Sequence, residues 1–386
     1  MQVTLYKRSR SGKIQQWTVV VVGSSFSTSE GFVGGQISPT EPTFCEAKSV
    51  GKKNEVSAEQ QAIKEAEARI EKQKKKGWVE DVNEVDSVVL VKPKLAEKWR
   101  DYSHKILEDV GSVWAMMPKL DGIRGLQKAR SNKITSKEGN EIVAAPHINI
   151  ALEEFMEGLD DKWITDGELY NHELKEDFNE ISSIVRKKNL TQEDLKKSEQ
   201  LMQFHIFDIN APGRFVERYT ALQELMVENY NKYLKLVPVI WLKVADDPNE
   251  TLAQIQKAYD QWLEEGYEGM MFQKADVEYE DWRSQNLIKR KEFIDAEFEI
   301  TNIEEGRGNA AGKAAKVFCK DERGEIFSVG IKRNSKYKKT FQEYITDLLV
   351  NKDQYIGKMA TVTYQNLTPD RQVPRFGKLK AIRDYE

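Results

Sequence analysis

In the stretch MMPKLDGIRGL, residues 116–126, Lys119 stands inside an apolar run, two residues before Asp121 and five before Arg124. The run VWAMMPKLDG predicts a strand entering a tight turn at Asp121-Gly122, which projects the lysine amine at a strand end, where pockets form. An amine in such a place is a nucleophile when neutral and a phosphate-binding cation when charged. Alone, it is also what any Asp-Gly turn beside a lysine looks like. Farther along, NLIKRK sets Lys289 and Lys291 two apart, so that a strand would turn both to one face. Between these points ITDGELY brings Asp166 and Glu168, QFHIFDI brings Phe207 and Asp208, and YEGMMFQ brings Glu268. With two cysteines, no CxxC and four scattered histidines, any metal must use oxygen ligands.

The elements that must hold these residues alternate between apolar strands and amphipathic helices from about 113 to 293, a mixed α/β pattern with strands at VWAMMPKL, WITDGELY, LMQFHIFDI and GMMFQKA. After Phe293 the pattern changes to short strands, AEFEITNIEE, KVFCK, EIFSVGI and MATVTYQNL, divided by Gly- and Asn-containing turns. A five-stranded barrel of the OB type follows, with KKTFQEYITDLLVN as a helix between the third and fourth strands. The first third reads as a small α+β module. A hairpin joins VTLYKRS to WTVVVVG, GFVGGQ reads as a glycine-bent strand, and Ser57 with Gln60 forms a capping box for AIKEAEARIEKQKKK. Trp17, Trp114, Trp163 and Trp241 read as core residues, and the histidines as satisfied core or surface side chains.

Net charge is -4. Residues 1–90 carry 13 Lys+Arg against 12 Asp+Glu, residues 295–386 carry 17 against 14, and the middle carries 29 against 37. Slightly basic flanks around an acidic centre suit a polyanion gripped beside a metal-using site. No run approaches the ~20 apolar residues of a membrane span, and the N-terminus reaches charge before any signal-like core. A cytoplasmic, monomeric protein is expected, within a host's cytoplasm if the source is viral.

Lys119-Leu120-Asp121-Gly122-Ile123-Arg124 fits K-x-D-G-x-R, which resembles the nucleotide-binding motif of the covalent nucleotidyltransferases, the ATP-dependent DNA ligases and mRNA capping enzymes. TSKEGNE, residues 135–141, resembles the S-R-x-G-x segment of DNA ligases, with Lys137 where arginine is usual. Asp166-Gly167-Glu168, Phe207-Asp208, Glu268-Gly269 and the pair Lys289 and Lys291 then match in order, so the resemblance covers residues 113–293. It implies a compact, phage-type ATP-dependent DNA ligase, with an ATP-grasp-like adenylation domain, that seals nicks in duplex DNA. Lys119 would take AMP from ATP as a lysyl-AMP, with Lys289 and Lys291 holding the α-phosphate and lowering the Lys119 pKa. Arg124 and Glu168 would hold the nucleotide and Phe207 would stack on adenine. Asp121, Glu168 and Glu268 would surround Mg2+, or Mn2+ in its place. Lys137 and Arg283 would contact DNA phosphate, and Arg218 would make a structural ion pair.

Residues 1–85 resemble the WGR-like modules that accompany some DNA-repair enzymes, with GFVGG replacing the tripeptide that names them, which implies a DNA-binding role. The resulting organisation is a module over 1–85, an adenylation domain over 86–293 and an OB domain over 294–386. TPDRQVPRFGKLKAIRDYE resembles the last ligase motif, in which PRF precedes R-x-D-K, but Arg383 is followed by Asp-Tyr-Glu. Arg375, Lys378, Lys380 or Arg383 is expected to replace the missing lysine. A capping guanylyltransferase shares the lysine motif and barrel, but TSKEGNE and the PRF ending argue against it. An RNA ligase would carry a different residue set after the lysine, and two cysteines cannot build the zinc site of an NAD-dependent ligase. A non-catalytic nick-binding protein would have no use for Lys119, Glu268, Lys289 and Lys291 together.

Overall fold

The structure, a computed structural model, describes residues 1–9, 11–86, 92–175, 177–291, 293–331, 338–368 and 370–383. The chain forms two compact units, one of Val91–Glu292 and one that joins Met1–Leu90 to Phe293–Glu386.

In the second of these, β1 (Gln2–Arg8) and β2 (Ile14–Val22) form the expected hairpin with Leu5 opposite Trp17, and β3 (Ser25–Phe32) extends it. GFVGGQ is not a strand. β3 ends at Phe32, and the chain turns through Gly34, at φ +75°, into β4 (Ile37–Pro39), followed by β5 (Thr43–Phe44). The helix Ala58–Lys74 starts at the expected capping box, with Ser57 Oγ accepting from the Gln60 N–H and Gln60 Oε1 from the Ser57 N–H. It buries Ala62, Ala66 and Ile70 against Leu5, Trp17, Val19 and Phe26.

The barrel β16–β20 closes in the order β16-β17-β18-β20-β19, with the helix Lys338–Val350 between β18 and β19 as expected. Its strands are β16 (Ile294–Glu305), β17 (Ala314–Lys320), β18 (Ile326–Ile331), β19 (Met359–Tyr364) and β20 (Lys378–Arg383). The turn after β16 grips the N-terminal module. Arg307 Nη2 donates to the Phe44 carbonyl at 2.9 Å and its guanidinium pairs with Glu65 at 3.6 Å, while Asn309 Oδ1 accepts from the Glu41 N–H at 2.9 Å. Two of the residues expected to replace the missing lysine are already paired on the barrel's surface, Lys380 with Asp295 and Arg383 with Glu297. Arg375 is buried with its guanidinium against Phe376, and Lys378 is exposed. Asp384, Tyr385 and Glu386 lie outside the described residues.

The first unit holds two five-stranded sheets. Its strands are β6 (Leu95–Lys98), β7 (Val113–Lys119), β8 (Ile123–Lys128), β9 (Ile134–Ser136), β10 (Ile164–Tyr170), β11 (Gln203–Asn210), β12 (Leu234–Leu236), β13 (Ile240–Lys243), β14 (Gly269–Lys274) and β15 (Arg283–Lys291). One sheet runs β13-β7-β14-β15-β6 and the other β12-β11-β10-β8-β9. β7 is apolar throughout because both of its faces are covered: Trp114 and Met116 enter one core, Ala115 and Met117 the other. Strand parity then puts Lys119 on the side of Met117, toward the space between the sheets. β7 and β8 belong to different sheets, so Asp121-Gly122 is a crossover between sheets rather than a hairpin turn. Gly122 is required there because a Cβ would lie 2.4 Å from the Leu169 carbonyl oxygen and 2.8 Å from Glu168 Cγ. Trp241 departs from expectation, being 41% exposed while its ring leans on Phe215 and Tyr219.

Candidate active site

Lys119 and Lys291 lie in one row, facing Gly269 from the strands on either side of it. Gly269, at φ +150°, has no room for a side chain, since a Cβ would lie 2.3 Å from the Arg290 carbonyl oxygen. Glu268, which precedes it, turns its carboxylate between the two lysines: Lys119 Nζ donates to Oε2, and Lys291 Nζ to Oε1 at 2.9 Å. The next row across the same strands is Lys289, Met271 and Met117, so Lys289 shares the face, as its spacing from Lys291 requires.

The electrostatics reverse one expectation. Burial draws the Lys119 ammonium down, but Glu268 against it, with Glu168 and Asp121 beyond, more than offsets this and holds it above the ordinary lysine value. The lysine brought down is Lys289, to about 8, by burial and by the charges of Lys119 and Lys291. The neighbouring cations thus act on one another, and the Glu268 carboxylate keeps the proton on Lys119.

On the facing sheet, Arg124 clamps Asp166 through two 2.5 Å hydrogen bonds, and Tyr279 donates to the same carboxylate at 2.5 Å. Glu168 lies opposite Arg124 across the β8–β10 pair. Burial pushes its carboxyl up to about 7, against the pull of Arg124 and Lys119. β10 and β11 slip register so that Asp166 faces Asp208 and Gly167 faces Ile206. Phe207 is therefore the extra residue of a β-bulge, a device that re-aims a side chain. The Arg124 guanidinium covers its ring at 4.5 Å.

Beneath Phe207 is a buried network that sequence reasoning missed in part. Asp208 takes Arg218 in two bonds, at 2.9 and 3.0 Å, which makes Arg218 the structural ion pair expected. Its other partner is Lys94, which also donates to Gln273 Oε1 at 2.8 Å. In VKPKLA, Lys94 carries no signal that separates it from a solvated strand entry; only the meeting of two sheets exposes it. We expect Arg218→Ala to cost about 3 kcal/mol, because it leaves a buried carboxylate short of a partner. That is roughly 6–12 °C in the melting temperature of the first unit. Activity lost with the melting temperature unchanged would instead mark Arg218 as part of the chemistry.

These groups surround one cavity of about 220 Å³, lined by Lys119, Arg124, Lys137, Glu168, Phe207 and Lys289 together with Lys94, Pro118, Val237 and Met271. Asp121, Glu268 and Lys291 stand at or beside Lys119. Arg283 is placed differently: it is exposed and donates to the Ala96 carbonyl. Asp121, Glu168 and Glu268, the carboxylates expected around a metal, all act on Lys119, and no cluster of three metal-ligating side chains occurs among the described residues. Both oxygens of Glu268 accept hydrogen bonds from lysines.

Residues 93–291 match the family profile of the ATP dependent DNA ligase domain, and residues 305–383 that of the DNA ligase OB-like domain. A DNA ligase of African swine fever virus (isolate Pig/Kenya/KEN-50/1950) is 24% identical over 375 residues, 95% of this chain and 84% of that one. A DNA ligase of Haemophilus influenzae is 24% identical over 218 residues, 56% of this chain and 72% of its own. Among solved structures, a Lig E DNA ligase from a study of DNA binding with a minimal scaffold shares the fold at a TM-score of 0.58 and 22% identity, covering 76% of this chain and all of that one. With its first profile match spanning just over half of its length around this lysine-lined cavity, the chain belongs to the ATP-dependent DNA ligases, which seal nicks in DNA.

Proposed function

We propose that sealing proceeds through a lysyl-AMP on Lys119. The Nζ–Pα bond forms as the bond from Pα to the bridging oxygen breaks and pyrophosphate leaves. The 5′-phosphate at the nick then takes the AMP from Lys119, and the adjoining 3′-hydroxyl attacks that phosphate and expels AMP. The observation that carries this reading is the row Lys119–Gly269–Lys291 with Glu268 between the ammonium groups, beside Lys289 in one cavity. Positioning and charge neutralisation dominate phosphoryl transfer, and a row of lysines supplies both.

Phe207 stacks on adenine, and Glu168 takes the ribose. Glu168 and Asp121 would hold a divalent cation beside the substrate phosphates, as Mg2+ is commonly bound next to nucleotides. Such an ion neutralises phosphate charge. Glu268 is not part of that set. Lys137, at the cavity wall, binds phosphate as a point charge rather than in the two-pronged manner of arginine. Arg283, bonded to Ala96, has a smaller share in DNA contact.

The barrel and the N-terminal module, joined through Arg307 and Asn309, act as one arm on duplex DNA, with the WGR-like module adding backbone contacts through its lysine-rich helix end. Binding of this kind weakens steeply with salt and shows little sequence preference. The enzyme works as a monomer in the cytoplasm.

The test is to incubate the protein with α-labelled ATP or GTP and a divalent cation. Label should come from ATP alone, in an acid-labile, alkali-stable bond, and move to the 5′-phosphate of nicked duplex DNA on chase. Label from GTP alone, or an adduct that DNA cannot discharge, overturns the reading.

A further inference from the structure

We propose that Lys94 is a positioning residue for the nucleobase: by tying Asp208 to Gln273 beneath the β11 bulge, it fixes the ring of Phe207 as the surface on which the base stacks. This rests on the stacking role given to Phe207 above.

Lys94 is only 4% exposed, in a place where a methionine of similar volume would pack without bringing a charge out of water. A buried lysine persists where its charge is used. Two of its three protons go to acceptors on different sheets, Asp208 on β11 and Gln273 on β14. Its ammonium also lies 5.3 Å from the centre of the Phe215 ring and 5.4 Å from that of Tyr279. The segment entering the domain thus locks the two sheets together at the floor of the cavity, which Lys94 itself lines.

The bulge makes this bond matter to the base. Phe207 is the residue with no partner in the β10–β11 register, so its direction is set by its neighbours rather than by the ladder. The next residue, Asp208, is held by Arg218 from the helix Phe215–Glu228 that follows β11 and by Lys94 from across the gap. Arg124 covers one face of the Phe207 ring, and the ring lines the cavity. Lys94→Met leaves Asp208 its Arg218 partner, so no carboxylate is orphaned, but it removes the link between sheets that keeps the ring in place.

Binding of an ATP analogue with a methylene group between the α- and β-phosphates, followed by calorimetry, reads this without turnover. We expect Lys94→Met to weaken binding about 10-fold and Phe207→Ala about 30-fold, the latter within the range for losing one aromatic stack. The double variant should bind within about twofold of Phe207→Ala, because Lys94 acts through that ring. Binding of inorganic triphosphate, which carries no base, should stay within about twofold of the parent in Lys94→Met. Should that variant unfold, Lys94→Gln, which keeps a donor for Asp208, carries the same measurements with a smaller loss.

Parent-like binding by Lys94→Met, with Phe207→Ala weakened, overturns the role of Lys94 and leaves the stacking reading intact. Parent-like binding by Phe207→Ala overturns both. Losses that add in the double variant, or triphosphate binding weakened as much as binding of the ATP analogue, reduce Lys94 to a structural ion pair and overturn the proposal.

Discussion

Replacing Lys119 by alanine should abolish the protein–AMP adduct, with adenylation slowed by about 10⁴-fold or more, as expected when the nucleophile of a covalent step is removed. The same variant should still join a nick that already carries AMP on its 5′-phosphate, since that step forms no bond to the lysine. The rival nucleophile is Lys289, which lines the same cavity and, with a pKa near 8, is the more readily neutral of the two before nucleotide binds. Lys119 instead carries its proton against Glu268. Phosphates arriving beside Lys289 and Lys291 change that balance. They keep Lys289 protonated as pH rises, which leaves its repulsion on Lys119 undiminished. Adenylation should accordingly quicken as pH rises from 6 to 8, while Lys119 still has a proton to lose. If Lys119→Ala keeps its label, and peptide mapping finds that label on Lys289, the assignment of the nucleophile is wrong.

Much of this site was legible in the sequence because its residues occupy strand ends and turns whose glycines have steric reasons to be there. Gly122 lets the crossover pass Leu169 and Glu168, and Gly269 lets Lys119 and Lys291 close on Glu268. Short motifs record such local demands. The alternation of Lys289 and Lys291 was equally readable, since a strand period of two needs no tertiary information. What the sequence could not carry depends on which strands become neighbours. The sequence reads as a tight turn at Asp121-Gly122, and nothing local tells that this turn joins two sheets instead of two strands of one. The Lys119 pKa was expected to fall because two lysines lie downstream; its direction is set by Glu268, whose carboxylate reaches it only through the β7–β14 pairing. Lys94 was silent for the same reason: its acceptors are more than a hundred residues away along the chain. In the N-terminal module the capped helix was legible from Ser57 and Gln60, whereas its attachment to the barrel rests on Arg307 and Asn309, two polar residues in an ordinary-looking turn.

Glu168→Gln should separate stability from activity, moving them in opposite directions with a shared dependence on pH. Burial raises the Glu168 carboxyl from its ordinary value to about 7. A group whose folded-state pKa is raised stabilises the fold most when protonated. Its contribution is full below the unfolded value near 4.5 and is lost as pH rises through 7, where the buried carboxylate must ionise. The upper bound on that loss is about 3 kcal/mol, and partial exposure to water in the cavity reduces it to about 1–2 kcal/mol. Glutamine never ionises, so the variant should melt roughly 2–8 °C higher than the parent at pH 8, with most of the gain gone at pH 5. Adenylation should fall on the order of 10³-fold, because an uncharged amide neither neutralises a cation nor accepts a ribose hydroxyl as strongly as a carboxylate does. The part of the parent's rate that rises with ionisation near pH 7 should vanish in the variant. Thermal melts at pH 5 and pH 8, with single-turnover adenylation across the same range, check both halves. An equal gain in melting temperature at the two pH values would mean that ionisation of Glu168 is not its source. An unchanged adenylation rate would mean that the strain of holding this carboxylate beside Asp166 and Glu268 serves no step of the reaction. If both halves hold, the destabilising carboxylate is kept for chemistry, since a neutral isostere would give the more stable fold at working pH.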